Sequence, residues 1–387
     1  MAGETDQDGT HPGADVGADT AGTLDDEALE ALDLWGLAPE DWRVEGTLIT
    51  ALEGIALPIL ALGDERASTG RPYVLRRQPP DLAERDVRFR HALMRALALQ
   101  GLPVPVPLAR PGGQTYARTA AGEIYELLQY RPGAAFVSGE PEELARIASA
   151  AATLGRLHQA SADFAWEPPH LWPAERSPAN LARAYVELIQ RAASDERLPA
   201  SVRAALARVA EEAGERVESA AAALDAVHDL PALHLHGDYQ PHHLAFAGAG
   251  DEVAAIYDFT AAHWGRRLDE LAYSLLYFAA VRWDEQPGVT PPLAGEGLDV
   301  LRAHRFLAAY GEEAPPAEGE ARLLGDALAL AFPIVFANGV AEDLLAPDDY
   351  AAAPDEEDAL ARLQWAETFW LWLDRYRDSL AEAWEGV

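Results

Sequence analysis

The sequence predicts an α+β protein made of a small antiparallel-sheet lobe followed by a larger, mainly helical lobe. Extended apolar runs separated by turn residues dominate the chain up to Tyr130. From Glu142 onward apolar residues recur at helical spacing, and one extended stretch, His234 to Ile256, interrupts this helical part. A run of strands followed by a run of helices is the order expected when the two kinds of element form separate layers.

Turn residues divide the sheet lobe into elements. Proline disfavours the continuation of a helix, and clusters of Gly, Ser and Asp separate extended runs. The predicted elements are a short helix ended by Gly36, an antiparallel hairpin of Thr47–Leu62 and Tyr73–Arg76, a helix over Asp86–Gln100, and two strands within Tyr116–Tyr130 that meet at Ala121-Gly122.

The helical lobe is predicted from periodicity and Ala content. Its clearest helices cover Leu144–Leu157, Pro199–Val227 and Leu360–Trp384. The last one carries aromatic residues that we expect to face the core: Trp365, Phe369, Trp370, Trp372 and Tyr376. The predicted organisation is thus a disordered acidic tail over residues 1–24, an N-terminal lobe over 25–130 and a C-terminal lobe over 131–387. The tail has almost no large apolar side chains with which to offset the entropy of ordering.

Composition excludes several classes of protein. The 387 residues are 49% apolar, which supplies a sizeable core, and include no cysteine, so there is no disulfide framework, thiolate metal site or cysteine nucleophile. All 30 basic residues are arginine, and the net charge of -34 disfavours nucleic acid and anionic membranes as partners. The sequence has no membrane-length apolar run and begins with acidic, polar residues, which predicts a cytoplasmic protein.

The segment from Leu233 to Phe259 carries the chemistry. Asp238 is expected in a turn, His243 follows five residues later, and Asp258 ends an apolar strand beyond a short hairpin. Phosphoryl transfer requires such a set, because one carboxylate orients or deprotonates the attacking hydroxyl and two further ligands hold Mg²⁺ on the nucleotide phosphates.

The sequence around these residues resembles the aminoglycoside phosphotransferase superfamily, which includes homoserine, choline and macrolide kinases. The motif His236-Gly-Asp238 and the later segment Ile256-Tyr-Asp-Phe259 resemble the family's H-G-D-x-x-x-x-N loop and its strand ending in I-D-F or I-D-W. Further matches follow in order at Tyr73–Arg76, Phe89–Leu97, Glu126–Gly133, Leu154–His158 and Arg266–Ala272. The resemblance implies a bilobed kinase-like fold and transfer of a γ-phosphate from ATP or GTP, with Mg²⁺, to a hydroxyl of a small molecule: an aminoglycoside, macrolide, amino alcohol or homoserine-like acceptor.

The same resemblance implies a role for individual residues. Asp238 would be the catalytic base and Asp258 the principal metal ligand. His236 would brace the loop by hydrogen bonding, and Asp269 would pin the loop from the helical lobe. Residues 25–130 would then be the nucleotide-binding lobe, and backbone groups near Leu128 and Gln129 would bind the base.

Three positions depart from the family pattern. His243 replaces the metal-binding asparagine, and we expect it to act as a ligand, although imidazole is softer than Mg²⁺ prefers and leaves Mn²⁺ as an alternative. Arg76 replaces the strand lysine, and its guanidinium can still clamp phosphate oxygens. Arg90 occupies the position of the helix glutamate, so it cannot pair with Arg76; Asp86 or Glu84 could neutralise it.

These departures leave two other hypotheses open. A catalytically impaired pseudokinase that binds a nucleotide or a partner is favoured by Arg76 and Arg90 and disfavoured by the two retained carboxylates. A metallohydrolase is suggested by a histidine cluster, since zinc sites combine His and carboxylate ligands. That cluster consists of His234, His236, His242 and His243. The order of the surrounding motifs has no role in the second hypothesis.

Overall fold

The computed structural model divides the chain into two compact units. It describes residues 26–38, 43–52, 55–63, 72–79, 82–136, 142–247, 250–280, 298–339, 342–345 and 355–386. The sheet unit comprises residues 1–81 and 108–130, and the helical unit comprises 82–107 and 131–387. The helix after the third strand therefore groups with the helical unit, although it lies within the continuous segment 25–130 predicted as one lobe. The predicted disordered tail, residues 1–24, lies outside the described residues.

The sheet unit contains a five-stranded sheet. Its strands pair antiparallel in the order β1-β2-β3-β5-β4. They span β1 (Arg43–Leu52), β2 (Ile55–Gly63), β3 (Pro72–Arg77), β4 (Tyr116–Arg118) and β5 (Ile124–Gln129). The predicted pair of strands within Tyr116–Tyr130 is confirmed, with Gly122 at a φ of +96° between them, a conformation that glycine adopts without a steric cost.

The first extended run of the sheet differs from its prediction. Thr47–Leu62 was expected to be one arm of a hairpin, but it spans most of two strands, β1 and β2, whose ends pair at Leu52 and Ile55. The second predicted arm, Tyr73–Arg76, is β3 and pairs with β2. The apolar residues run on through both strands, so hydrophobic pattern alone did not show where the chain reverses.

A short helix packs on the sheet and closes its core. Helix α1 (Asp26–Leu34) ends two residues before Gly36, which has a φ of +73°. Trp35 is buried against Leu75, Tyr125 and Leu127, and its indole Nε1 donates a hydrogen bond to the Leu108 carbonyl at 3.0 Å. The buried aromatic ring thus has a partner for its one polar atom, as expected of buried tryptophan.

Nine described helices build the helical unit. They are α2 (Glu84–Leu99), α3 (Glu143–Ala162), α4 (Pro178–Ala193), α5 (Ala200–Asp225), α6 (Arg267–Phe278), α7 (Val300–Glu313), α8 (Leu324–Gly339), α9 (Glu342–Leu345) and α10 (Glu356–Glu385). The helices predicted over Asp86–Gln100, Leu144–Leu157, Pro199–Val227 and Leu360–Trp384 correspond to α2, α3, α5 and α10. Within the described part of the chain, none of the helices is both long enough and apolar enough to cross a membrane.

Aromatic rings join the last helix to the core. Phe369 of α10 stacks on Phe332 of α8, with ring centroids 3.9 Å apart and planes 3° apart. Trp365 and Trp370 pack on the same ring at 4.9 Å each. All three α10 residues are buried, which confirms the predicted core-facing role for them, whereas Trp372 and Tyr376 are only partly buried.

Two short strand pairs interrupt the helices. Strand β6 (Ala232–Leu235) pairs with β9 (His263–Arg266), and β7 (Leu244–Phe246) pairs with β8 (Val253–Ile256). The β7-β8 hairpin is the one that the sequence predicts, whereas the β6-β9 pair was not predicted. Because β6 and β9 are neighbours, the segments that follow β6 and precede β9 are brought together.

Candidate active site

Gly237 and Ala261 bring two loops into direct contact. The catalytic loop, residues 236–243, follows β6, and the metal loop, residues 257–262, runs from β8 to β9. Gly237 has a φ of +86°, and a Cβ built on it would lie 2.0 Å from the Ala261 carbonyl oxygen. No side chain fits such an approach, so glycine at this position permits the two loops to meet.

Asp258 has a strained backbone in the metal loop. Its φ of +54° places it in the left-handed region, where it is the only non-glycine among the described residues. Its Oδ1 accepts hydrogen bonds from the Thr260 backbone N–H at 3.2 Å and from the Thr260 hydroxyl. Such strain occurs at functional sites when the surroundings hold it, and here Thr260 fixes the carboxylate orientation.

His243 lies between the two aspartates. Its Nδ1 is 2.8 Å from the Asp238 carbonyl oxygen and 3.5 Å from Asp238 Oδ2, and its Nε2 is 3.9 Å from Asp258 Oδ2. Since a carbonyl oxygen can only accept, Nδ1 carries the proton in this arrangement and the ring lone pair is on Nε2. The imidazole therefore turns its basic nitrogen toward Asp258.

The side chain of Asp238 is held by two neutral donors. Its Oδ1 accepts a hydrogen bond from Gln240 Nε2 at 2.9 Å and another from the Tyr273 hydroxyl at 2.7 Å. The carboxylate is 29% exposed, whereas that of Asp258 is 8% exposed. Of the two, Asp238 is thus the more accessible to a molecule in solution.

His236 is buried and bonds only to backbone groups among its described contacts. Its Nε2 lies 2.7 Å from the Tyr257 carbonyl oxygen and donates to it, and its Nδ1 accepts from the Asp238 N–H at 3.2 Å. Burial lowers the pKa of His236, so the ring is neutral at physiological pH. This single ring connects the catalytic loop to the metal loop.

The residue that anchors the catalytic loop from α6 is Glu270 and not Asp269. The Asp269 carboxylate pairs with Arg266 at 2.8 Å, one turn away on its own side of the helix. Glu270 accepts the backbone N–H groups of His236, at 3.3 Å, and Gly237. The assignment of loop pinning to Asp269 is therefore corrected, because adjacent helical positions point about 100° apart and only Glu270 faces the loop.

A helical-face argument could have found Glu270. Residues three and four apart share a helix face, and Glu270, Tyr273, Ser274 and Tyr277 form such a set. Tyr273 bonds Asp238, and the Ser274 hydroxyl donates to the Tyr239 carbonyl at 2.8 Å. Glu270 has this spacing to both Tyr273 and Ser274, whereas Asp269 has it to Tyr273 alone, so the spacing favours Glu270 as the residue that faces the catalytic loop.

Glu270 also connects by hydrogen bonds to buried polar groups outside the catalytic loop. His158 of α3 lies with Nε2 2.8 Å from Glu270 Oε2 and with Nδ1 2.7 Å from the Tyr310 hydroxyl. Burial by itself raises the pKa of Glu270, but the hydrogen bond and charge of His158 and the nearby loop N–H groups leave that pKa below its usual value. The carboxylate is therefore ionised and can accept from the loop amides.

In the sheet unit, Arg76 has a counter-ion that the sequence did not indicate. Its Nε lies 3.7 Å from Glu126 Oε1, its register partner on β5, and both side chains are buried. Glu126 was not singled out from the sequence, because only the strand register reveals it. Leu128 and Gln129, expected to contact the base, lie on the same strand opposite Val74 and Tyr73.

Asp86, a candidate counter-ion of Arg90, has a histidine as a further neighbour, and His234 of the histidine cluster is surrounded by aromatic rings. Asp86 lies 3.7 Å from His170 Nδ1, while Arg90 itself is buried on α2. His234 packs among aromatic rings at the back of β6, 4.9 Å from the Trp264 ring. In the described part of the chain no three His, Asp or Glu side chains converge on one metal position, so the three-ligand zinc centre of a metallohydrolase is not formed there.

Asp258 and His243 together fit a divalent cation that brings further ligands with it. Mg²⁺ in phosphotransfer sites is bound by one or two protein groups and completed by phosphate oxygens and water. Asp258 Oδ2 is an anionic oxygen, and the unprotonated His243 Nε2 is a borderline donor that Mn²⁺ also accepts. The pair could thus hold a metal already bound to phosphates.

Comparison with known proteins identifies a family and a fold for this chain. Residues 64–315 match the model of the APH family, described as "Phosphotransferase enzyme family", whereas no curated protein matches the sequence. Among solved structures, an aminoglycoside phosphotransferase from Alicyclobacillus acidocaldarius subsp. acidocaldarius DSM 446 is 18% identical, with a TM-score of 0.59, and the match covers 92% of this chain and 96% of that one.

Two further structures share the fold. Amicoumacin kinase hAmiN, in complex with AMP-PNP, Ca²⁺ and Ami, is 15% identical with a TM-score of 0.57, and 91% of each chain is covered. A microcompartment-associated aminopropanol kinase is 14% identical with a TM-score of 0.56, covering 92% of this chain and 98% of that chain. The α+β kinase-like fold is thereby established, and the chain belongs to the APH family of phosphotransferase enzymes, as a kinase of alcohol groups.

Proposed function

We propose that this protein transfers the γ-phosphoryl group of ATP or GTP to a hydroxyl of a small molecule, with Asp238 as the general base. One observation supports this most directly: the His243 ring bridges the two carboxylates, 3.5 Å from Asp238 Oδ2 and 3.9 Å from Asp258 Oδ2. A base and a metal site must lie side by side for phosphoryl transfer, because the attacking oxygen approaches a phosphate that the metal neutralises.

The residues then have distinct roles in the reaction. Asp238 orients the acceptor hydroxyl and takes its proton as the oxygen bonds to the γ-phosphorus and the bond to the β-phosphate oxygen breaks, leaving a nucleoside diphosphate. Asp258 and His243 would hold Mg²⁺, or Mn²⁺ as the alternative. The metal, when bound, neutralises charge on the phosphates. We further propose that Arg76 contacts the phosphates and that the backbone near Leu128 and Gln129 binds the base.

The decisive experiment measures transfer directly. The protein is incubated with γ-labelled ATP or GTP, Mg²⁺ or Mn²⁺, and a panel of aminoglycosides, macrolides, amino alcohols and homoserine. Asp238→Asn should lower transfer by at least about 100-fold, the usual contribution of a general base, and keep nucleotide binding. The control is Asp229→Asn, at an exposed loop position, which should transfer like the parent.

The pseudokinase hypothesis has a distinct outcome in the same assay. Nucleotide binding with no transfer to any member of the panel would favour the pseudokinase. Arg76, which pairs with the buried Glu126, would then contribute to nucleotide binding and not to phosphoryl transfer. Equal transfer by the parent and Asp238→Asn would remove Asp238 from the mechanism.

A further inference from the structure

The two oxygens of the Asp238 carboxylate have different surroundings. Oδ1 accepts two hydrogen bonds, from Gln240 Nε2 at 2.9 Å and from the Tyr273 hydroxyl at 2.7 Å. The nearest described donor to Oδ2 is His243 Nδ1 at 3.5 Å. That nitrogen already donates a hydrogen bond to the Asp238 backbone carbonyl at 2.8 Å. A carboxylate oxygen with two donors is less basic than one with a distant donor, so the two oxygens are not equivalent.

Tyr273 reaches Oδ1 from a rigid position. It lies on α6 one turn beyond Glu270, which holds the backbone of the same catalytic loop. Its oxygen is 3.3 Å from the Tyr277 hydroxyl. Because a phenol has one proton and the shorter contact to Asp238 uses it, Tyr277 is the donor in the second contact. Helix α6 thus supplies two hydroxyls in hydrogen-bond contact with each other, and that of Tyr273 donates to Oδ1 of Asp238.

We propose that Tyr273 is a positioning residue for the phosphoryl transfer. Together with Gln240 it occupies Oδ1 of Asp238 with hydrogen bonds, so that Oδ2 is the oxygen that receives the proton of the acceptor hydroxyl. This inference rests on the proposed function in taking Asp238 as the base. It adds a residue that the motif around His236 and Asp238 does not contain.

The physical reason lies in the torsional freedom of a carboxylate. The terminal torsion of aspartate is broad, so the group can exchange its two oxygens unless something fixes it. Donors on Oδ1 from two directions, one within the loop and one from α6, fix this torsion. An attacking hydroxyl then finds one oxygen in a constant place, and misplacement of such a group by about 1 Å can cost about 100-fold in rate.

Tyr273 also remains a donor at physiological pH. Burial, followed by the negative charge of Asp238, raises the pKa of Tyr273 well above its usual range. The phenol is therefore neutral at physiological pH and keeps the proton that it donates to Asp238.

The kinetic test compares two tyrosines on the same helix. Tyr273→Phe removes the hydroxyl that contacts Asp238, and the matched Tyr277→Phe removes one that does not. We expect Tyr273→Phe to lower kcat by about 10-fold or more, with KM for the nucleotide unchanged within about 2-fold, since it acts only on the transition state. Tyr277→Phe should lower kcat by less. Equal kcat losses in both variants, or a change confined to KM, would overturn the inference.

A spectroscopic test does not depend on turnover. The protein is labelled with 3-fluorotyrosine, and the Tyr273 signal is identified as the ¹⁹F resonance missing from Tyr273→Phe. Asp238→Ala should move that resonance, whereas Asp229→Ala should leave it in place. An unmoved resonance in Asp238→Ala shows that the contact is absent and rejects the inference.

The two tests separate the inference from the function on which it rests. If the parent protein transfers phosphate to no acceptor, the proposed function fails and the positioning role fails with it. If the parent transfers phosphate and Tyr273→Phe retains its kcat, only the role of Tyr273 is lost.

Discussion

His243 gives the proposed metal site a nitrogen ligand with a fixed tautomer. Its Nδ1–H donates a hydrogen bond to the Asp238 carbonyl at 2.8 Å, so the residue proposed as the base would also orient the proposed ligand. Partners of this kind fix the ring and raise its basicity. An amide oxygen at this position would be a harder ligand, better matched to Mg²⁺.

Exchanging this nitrogen for an amide should change the metal preference. In His243→Asn we expect the ratio of activity with Mg²⁺ to activity with Mn²⁺ to rise several-fold, because an oxygen donor replaces the imidazole. Initial rates measured over a titration of each metal give this ratio. His242→Asn is the matched control, since it changes the adjacent, exposed histidine. A ratio that stays constant in His243→Asn would show that the ring is not a ligand.

Local spacing made some site residues predictable, and others required the fold. The sequence singled out Asp238, His243 and Asp258 because a loop and a short hairpin connect them, and the structure brings them together. Glu126 reaches Arg76 through strand register, and Tyr273 reaches Asp238 across 35 positions of sequence. No local pattern encodes such pairs, because the partner is chosen by packing.

Among the elements, the catalytic and metal loops depend on one glycine. Gly237→Ala should abolish transfer and destabilise the helical unit. The left-handed conformation alone costs a residue with a Cβ about 1–2 kcal/mol, and we expect several times that loss because the Cβ would overlap the Ala261 carbonyl oxygen at 2.0 Å. Urea unfolding followed by tryptophan fluorescence measures this.

A second glycine is the control that separates the cost of a positive φ from the cost of steric overlap between the loops. Gly101 has nearly the same φ, +87°, but a Cβ there meets nothing within 4 Å. Gly101→Ala should therefore cost only the backbone term and keep activity. Equal losses of stability in the two variants would mean that the close approach of the loops contributes nothing.

Helix α6 offers a test of the loop anchor. Glu270→Gln keeps the size of the side chain but removes its charge, so the His236 and Gly237 N–H groups lose a charge-assisted acceptor. We expect faster hydrogen exchange at these two amides and a reduced kcat. Asp269→Asn should leave both amides protected, because Asp269 pairs with Arg266 instead. The reverse pattern would restore Asp269 as the anchor.

Element type was easier to predict than element pairing. Helices α2, α3, α5 and α10 follow from their periodicity, whereas the pairing of β6 with β9 joins residues 28 or more positions apart and shows no sequence signal. The assignment of the loop anchor to Asp269 was wrong for the same reason. Asp269 and Glu270 are adjacent acids, and only the orientation of α6 against the catalytic loop distinguishes them.

At the scale of the whole molecule, two histidines, His234 and His263, are buried among aromatic side chains. His234 lies 5.1 Å from the Phe89 ring and 5.2 Å from the Phe164 ring, and His263 stacks on Trp172 at 3.8 Å. These contacts join α2, the α3-α4 connection, β6 and β9 within the helical unit. Burial is the main cause that lowers the pKa of His234, to about 4, and also lowers that of His263.

This arrangement should make the protein sensitive to mild acid. A histidine whose pKa is lower in the folded state binds fewer protons there, so stability rises with pH and is lost as pH falls from the unfolded value of 6.5 toward 4. At 1.36 kcal/mol per pKa unit, His234 alone accounts for a loss of up to about 3 kcal/mol.

Replacing the titrating ring should remove its share of this pH dependence. Urea unfolding of the parent and of His234→Phe, measured between pH 7.5 and about pH 4.5, should show the parent losing stability more steeply, because phenylalanine fits the aromatic surroundings and takes up no proton. His228→Phe, at an exposed loop position, should retain the parent's slope. Parallel curves for the parent and His234→Phe would show that His234 takes up its proton equally in the folded and the unfolded protein, and that burial in the aromatic cluster does not lower its pKa.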